Sequence, residues 1–154
     1  MAKRNLKFKK SSFDHIYSDD FKFDQVDSFG VVHNIAILQS AEWARTAYLF
    51  DIGFPKKASF YKNSMALMAV HTEAEYYNSA EFADDFKVFT RTSYLKNTSL
   101  GIEQIIELDD GTPIANVKID LVYFNSTTKK PQSLSESIRH LITLHEGKKV
   151  KQLK

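Results

Sequence analysis

The chain has no cysteine, which excludes disulfide bonds, thiolate catalysis and Cys-type zinc sites. Proline (3) and glycine (5) are scarce in 154 residues, and the few present punctuate the chain at Gly30, Gly53 with Pro55, Gly111 and Pro131. No apolar run approaches the ~20 residues of a membrane-crossing helix, and the basic N-terminus lacks an apolar core, so the expected location is the cytoplasm with no membrane partner. Charge of one sign is also lacking, the formal net charge being +2. The basic runs sit at the ends, in Ala2-Lys3-Arg4 through Lys9-Lys10 and in Lys148-Lys149-Val150-Lys151. They read as solvated tails, with 1–10 and 147–154 expected to fray. The interior shows no basic stripe interleaved with exposed aromatics, which argues against a nucleic-acid partner. The five histidines (His15, His33, His71, His140, His145) have no metal-binding spacing, and His140 and His145 are splayed on a helix. Neither a metal nor a cofactor is expected.

What is present is a core. Apolar residues make up 43% and aromatics 13%, a composition and length suited to one domain over 1–154. Phe13, His15, Tyr17, Phe21 and Phe23 recur at period two and predict a first strand over 13–23. A polar loop over 24–30 closes with Gly30. Residues 31–50 hold no proline or glycine and predict one long helix that stops at Gly53 and Pro55. Its apolar residues cover nearly the whole circumference, so it is expected to be buried on most sides. Glu42 and Arg45, three apart, read as an internal pair supporting that packing. After an irregular stretch over 54–63, alternation predicts four strands around 68–77, 86–94, 100–108 and 115–123. Lys96-Asn97-Thr98 and Asp109-Asp110-Gly111 mark hairpin turns. Glu73 and Glu75 fall on the solvent face of their strand. Ser133-Leu134-Ser135-Glu136 has capping-box spacing, and Leu134, Ile138, Leu141 and Ile142 give a short C-terminal helix its apolar face.

Segregated strands and helices imply α+β: a five-stranded antiparallel sheet wrapped around one long central helix, with a short C-terminal helix. Its open edges invite a second copy.

The chemistry concentrates between 27 and 45, in Asp27-Ser28-Phe29-Gly30-Val31-Val32-His33-Asn34 and Glu42-Trp43-Ala44-Arg45. An acid and a glycine precede the helix. That pattern places a carboxylate beside unpaired amides at the positive end of a helix, the two parts needed to attack a carbonyl and hold its oxyanion. A lone acid here also suits a helix cap.

The motif Asp-x-x-Gly-Val-Val-His-Asn followed by Glu-Trp-Ala-Arg resembles the 4-hydroxybenzoyl-CoA thioesterase-like branch of the hotdog-fold thioesterases. Tyr48-Leu49 with Gly53, and Tyr123-Phe124-Asn125 through Thr128-Lys129-Lys130-Pro131 before a short helix, extend the likeness over most of the chain. One departure is Gln25, where many members carry an acid two residues before the catalytic one. The resemblance implies a hotdog fold and hydrolysis of an acyl-CoA or acyl-carrier-protein thioester. Asp27 takes the catalytic position, as nucleophile or general base. Gly30, Val31, His33 and Asn34 are implied to position the substrate and supply oxyanion donors. Arg91 and Lys96 are implied as coenzyme A contacts. A homo-oligomer, dimer or dimer of dimers, with sites at subunit boundaries, completes the implied picture. Two other readings use the same fold: a non-catalytic acyl-thioester binding module, and a 3-hydroxyacyl dehydratase with His33 in its histidine role.

Overall fold

The period-two stretches become strands in the computed structural model, which describes residues 8–56 and 65–154. They are β2 (Met65–Tyr76), β3 (Asp85–Leu95), β4 (Ser99–Leu108) and β5 (Pro113–Asn125), preceded by β1 (His15–Asp20). β1 ends short of the expected 13–23 because Phe23–Gln25 wind into a 3-10 turn. Most of the expected irregular stretch, 57–63, lies outside the described residues. The strands form one sheet in the order β1-β3-β4-β5-β2, antiparallel along that path. Two short strands add to the expected five: β6 (Lys130–Pro131) on β5, and β7 (Lys151–Gln152) parallel to β3.

Helix α1 (Asn34–Asp51) crosses the concave face of this sheet. Its buried residues are Ala36, Ile37, Ser40, Ala41, Ala44 and Tyr48, a stripe at helical spacing. Four of the six are alanine or serine, so the helix lies close against the strands. Gln104 of β4 reaches across to donate to the Ala41 carbonyl at 2.7 Å. The helix is not buried on most sides, contrary to what its composition predicts. Ile35 (73% exposed) and Trp43 face outward, and Leu38 and Leu49 are half-buried, because a single sheet covers one side of it only.

Gly101 illustrates how closely the strands are fitted. A Cβ there would lie 2.0 Å from Tyr94 Cε1, so the tyrosine ring occupies the space a side chain would fill. The Tyr94 hydroxyl then donates to Asp120 at 2.5 Å, linking β3 to β5 across β4.

Helix α2 (Glu136–Glu146) begins two residues later than the Ser133 spacing predicts. Ser135 is the cap, its Oγ accepting from the Ile138 amide at 3.3 Å. Ile138, Ile142 and the preceding Leu134 join the core as expected.

Both ends are tied down further than expected. Phe8 and Phe13 pack on Phe89 and Ile105, which point away from α1. Lys10 donates to Glu107 and lies over the Phe89 ring. At the other end Val150 is buried, Lys149 pairs with Asp14, and β7 bonds to Tyr94 and Leu95. Residues 1–7 lie outside the described set. Among the described residues no helix is long and apolar enough to cross a membrane.

The outer strands differ. β1 is short and ends in Asp19 and Asp20, charges that discourage further pairing. β2 is twelve residues long, pairs only with β5 among the described residues, and exposes Met68 and Val70.

Candidate active site

The loop before α1 is a miniature hairpin. Val26 bridges Val32, and the chain reverses through Asp27-Ser28-Phe29-Gly30. The Gly30 amide donates to the Asp27 carbonyl at 3.0 Å, and the Asp27 amide donates to Val31 O at 2.9 Å. Gly30 has φ 76°, a left-handed conformation that glycine adopts without steric cost. Asp27 Oδ1 accepts from the amides of Phe29 (2.8 Å) and Val31 (3.0 Å), which holds the carboxylate in one orientation. Its second oxygen makes no hydrogen bond among the described residues. Buried Gln25, the residue that departs from the family pattern, braces the loop: its carbonyl accepts from the His33 amide at 2.9 Å, and its side chain from the Lys22 amide at 2.7 Å.

This geometry corrects the expectation that Asp27 sits at the helix start. α1 begins at Asn34 with His33 as a cap that makes no side-chain bond, and Val31 and Val32 precede it in extended bridges. Tertiary pairing with Glu81 and Ala80 draws these two valines out of the helix.

The amides of Gly30, Val31 and His33 are consequently spent on Asp27 and Gln25, and that of Val32 on Ala80. They are not available to an oxyanion in this arrangement. The first-turn amides of Asn34, Ile35 and Ala36 have no acceptor among the described residues, so of the expected positions Asn34 retains a free donor. An open groove of about 640 Å3 runs beside it, lined by Val32, Asn34, Ile37, Thr112 and residues 76–79. Asp27 is not among its lining residues.

Three exposed aromatics stand around the turn. Phe29 at its tip is 88% exposed, and Phe23 and Phe82 meet edge-on at 5.8 Å. The Phe82 amide donates to Gly30 O at 3.3 Å, which places this rim next to Asp27. Phe23 and Phe82 are absent from the sequence-derived site because each looks like an ordinary core phenylalanine in its local pattern.

The thioesterase-like superfamily matches residues 21–142. The chain belongs to this superfamily. The match runs from before the Asp27 turn into α2. No curated protein sequence matches the chain. Solved structures share its fold over most of its length. A 1,4-dihydroxy-2-naphthoyl-CoA thioesterase from Synechocystis superposes with a TM-score of 0.77 at 17% identity, over 83% of this chain and 94% of that one. A thioesterase from Thermus thermophilus, complexed with coenzyme A and Zn, is 26% identical over 89% of this chain and 97% of that one, with a TM-score of 0.76. A Staphylococcus aureus protein in complex with CoA gives a TM-score of 0.79 at 14% identity, over 90% and 87% of the two chains. The sheet curled around one long helix is thus the hotdog fold, and thioester hydrolysis is the activity this superfamily carries.

In this thioesterase-like chain the expected coenzyme A contacts lie away from Asp27. Arg91 projects from the outer sheet face, where Nε and Nη2 both donate to Glu103 Oε2 at 2.9 and 2.7 Å and the Phe13 ring stacks at 5.2 Å. Lys96 lies over the Tyr94 ring in the β3–β4 turn. The Asp27 loop borders the start of β3, and at the rise of a strand that start is about 20 Å from Arg91 and about 36 Å from Lys96. Within one chain, neither cation reaches it. Among the described residues, no group of three or more histidines and acids is gathered to hold a metal ion.

A second cavity, of about 330 Å3, opens farther along α1 against β2 and β5, with Glu42 and Arg45 on its wall. Their contact is looser than the expected pair: Arg45 Nη2 is 3.8 Å from Glu42 Oε1. At the C-terminal end of α1, Tyr48 donates to Glu146 Oε1 at 2.5 Å and meets Thr92 Oγ1 at 2.9 Å. The His15 and His145 rings lie edge-on to Tyr48 at 5.5 and 5.6 Å. Sequence spacing offers no sign of this network, because its members come from four separate elements.

Proposed function

We propose that the chain hydrolyses acyl-CoA thioesters to the free acid and thiol, with Asp27 as the catalytic carboxylate. The observation that carries this reading is the asymmetry of Asp27 itself. One oxygen is fixed by two amides and the other is unengaged, in a turn that leads directly to an uncapped helix. A carboxylate so held is oriented before substrate arrives, which removes part of the cost of reaching the transition state. The free oxygen attacks the thioester carbonyl directly or draws a proton from an attacking water. The thiolate is a good leaving group, so no separate strong acid is required. Oxyanion stabilisation falls to the unclaimed amides of Asn34, Ile35 and Ala36, supported by the helix dipole.

The second copy implied by the family likeness fits the edge of β2. β2 is an edge strand that pairs only with β5 among the described residues, and its exposed Met68 and Val70 form a surface that a second β2 would cover. The outward side of α1, with Ile35 and Trp43, would be covered in the same event. Each site would then draw on two chains.

The test is a panel of aliphatic and aromatic acyl-CoA thioesters with a thiol-detecting reagent. Release of coenzyme A that depends on Asp27 is expected. Binding of a non-hydrolysable analogue without turnover of any member would instead make the chain a binding module.

A further inference from the structure

Arg45 is placed where a charge is expensive. Its side chain is 12% exposed, Nη1 is inaccessible to solvent and has no hydrogen-bond partner among the described residues, and the nearest described acid, Glu42 at 3.8 Å, has a side chain 66% exposed. Burial is the main influence on its titration and lowers its pKa, with Glu42 giving a smaller opposite effect. A guanidinium remains charged nonetheless, so the donors stay ready for an acceptor.

The cavity beside it has room for roughly ten waters, or for an organic chain of like bulk. Its walls include Leu49, Phe50, Phe54, Leu67 and Leu121, and among the described residues its charged lining is Arg45, Lys56 and Glu42, an excess of one cation. Apolar walls with a guanidinium held only loosely by Glu42 suit a hydrocarbon chain ending in a planar anion, which the fork of arginine matches with two parallel bonds.

The direction of β2 connects this cavity to the reaction site. Ala66, Leu67 and Ala69 stand with Arg45 on one wall, whereas Tyr76 stands with Asn34 on the other groove, so β2 runs opposite to α1. Eleven residues of helix, about 16 Å, separate Asn34 from Arg45 within one chain. Antiparallel pairing of β2 with a second β2 about its bulge at Ala69/His71 would set the α1 start of one copy against the Arg45 cavity of the other.

Building on the thioesterase reading, we propose that Arg45 receives a carboxylate at the far end of the acyl chain, so that the preferred substrates are ω-carboxyacyl-CoA thioesters. Glu42 holds the guanidinium loosely in the absence of substrate and swings into solvent when the substrate carboxylate arrives.

Adipoyl-CoA and hexanoyl-CoA, matched in chain length, test this. Calorimetry on Asp27→Asn measures binding, and kcat/KM on the unmodified chain measures turnover. Adipoyl-CoA is expected to bind better by about tenfold or more, the value of a charge-assisted bond. Arg45→Met brings the ratio near one, and Arg45→Lys keeps part of it. An equal or inverse ratio in chains retaining Arg45 overturns the proposal, as does a ratio that survives Arg45→Met. If Arg45→Met does not fold, Glu42→Gln decides: freeing the guanidinium raises the preference for adipoyl-CoA, and an unchanged ratio overturns the assignment. Discrimination in binding without turnover of either thioester removes the thioesterase reading and leaves the receptor. Turnover of both with no discrimination does the reverse.

Discussion

Tyr48 and Glu146, 98 positions apart, meet in the core with the tyrosine hydroxyl 2.5 Å from Glu146 Oε1. The same oxygen accepts from the Thr92 amide at 2.9 Å, so α1, β3 and α2 are joined at one carboxylate. Removing the hydroxyl leaves a buried acid with one donor fewer. Tyr48→Phe is expected to cost about 1–3 kcal/mol of unfolding free energy at neutral pH, measured by denaturant titration. Burial first, then Glu146, pushes the Tyr48 hydroxyl well above the ordinary tyrosine range. The unfolded chain releases this proton near pH ~10 while the folded chain keeps it. The contribution of Tyr48 is therefore whole below pH ~10 and is lost as pH rises beyond it. Tyr94, raised by burial and then by Asp120, acts in the same direction. Tyr48→Phe should show a shallower alkaline decline than the unmodified chain. Equal slopes would assign that decline to other groups.

Asp27 has two tasks that one substitution separates. An asparagine side chain at this position would still offer an acceptor to the Phe29 and Val31 amides, so Asp27→Asn is expected to fold with stability changed by less than about 1 kcal/mol. Its turnover should fall by about a hundredfold or more. Asp27→Ala loses both tasks and should also lose about 1 kcal/mol of stability. Full activity in Asp27→Asn would end the catalytic assignment. Single turnover in isotopically labelled water tests the nucleophilic role: label in the Asp27 carboxylate requires an anhydride opened by water at the Asp27 carbonyl, whereas a general base leaves that carboxylate unlabelled.

The Gly101 and Tyr94 pair predicts a non-additive result. Gly101→Ala puts a methyl where the Tyr94 ring lies and should expel the ring, at a cost of about 1–3 kcal/mol. Tyr94→Ala loses the ring and its bond to Asp120. In the double variant the alanine methyl has space, so the combined cost should fall below the sum of the two singles. Thermal or denaturant unfolding of the four chains provides the cycle, and simple additivity would contradict the packing described.

The exposed edge of β2 predicts association. Val70 sits at the β2 bulge and is 62% exposed. Val70→Lys should shift the chain toward monomer in analytical ultracentrifugation while leaving the fold's circular dichroism unchanged, because a lysine on an edge opposes pairing. Activity should fall together with association. A fully active monomer would show that each chain carries a complete site.

Much of the fold is legible locally. Alternation in β3, β4 and β5 places their strands within two residues, and Asp109-Asp110-Gly111 turns the chain where its composition requires. Gly30 and Asp27 mark a turn of fixed chemistry. Where the fold departs from the local pattern, tertiary contacts are the cause. Val31 and Val32 carry an apolar pattern that continues the helix, and only their bonds to Glu81 and Ala80 hold them extended. Ser133 has capping-box spacing, yet Leu134 is drawn into the core and the cap passes to Ser135.

The sequence alone therefore determined the order of the main elements, the α+β class and the Asp27–Gly30 turn, since these depend on periodicity and short-range turn chemistry. Tertiary structure decided which amides remain free, that α1 is covered on one side only, that Arg91 is engaged by Glu103, and that Arg45 lacks a full partner beside a cavity. Hydrogen-bond satisfaction and burial depend on residues distant in the chain, and no local pattern records which of them will meet.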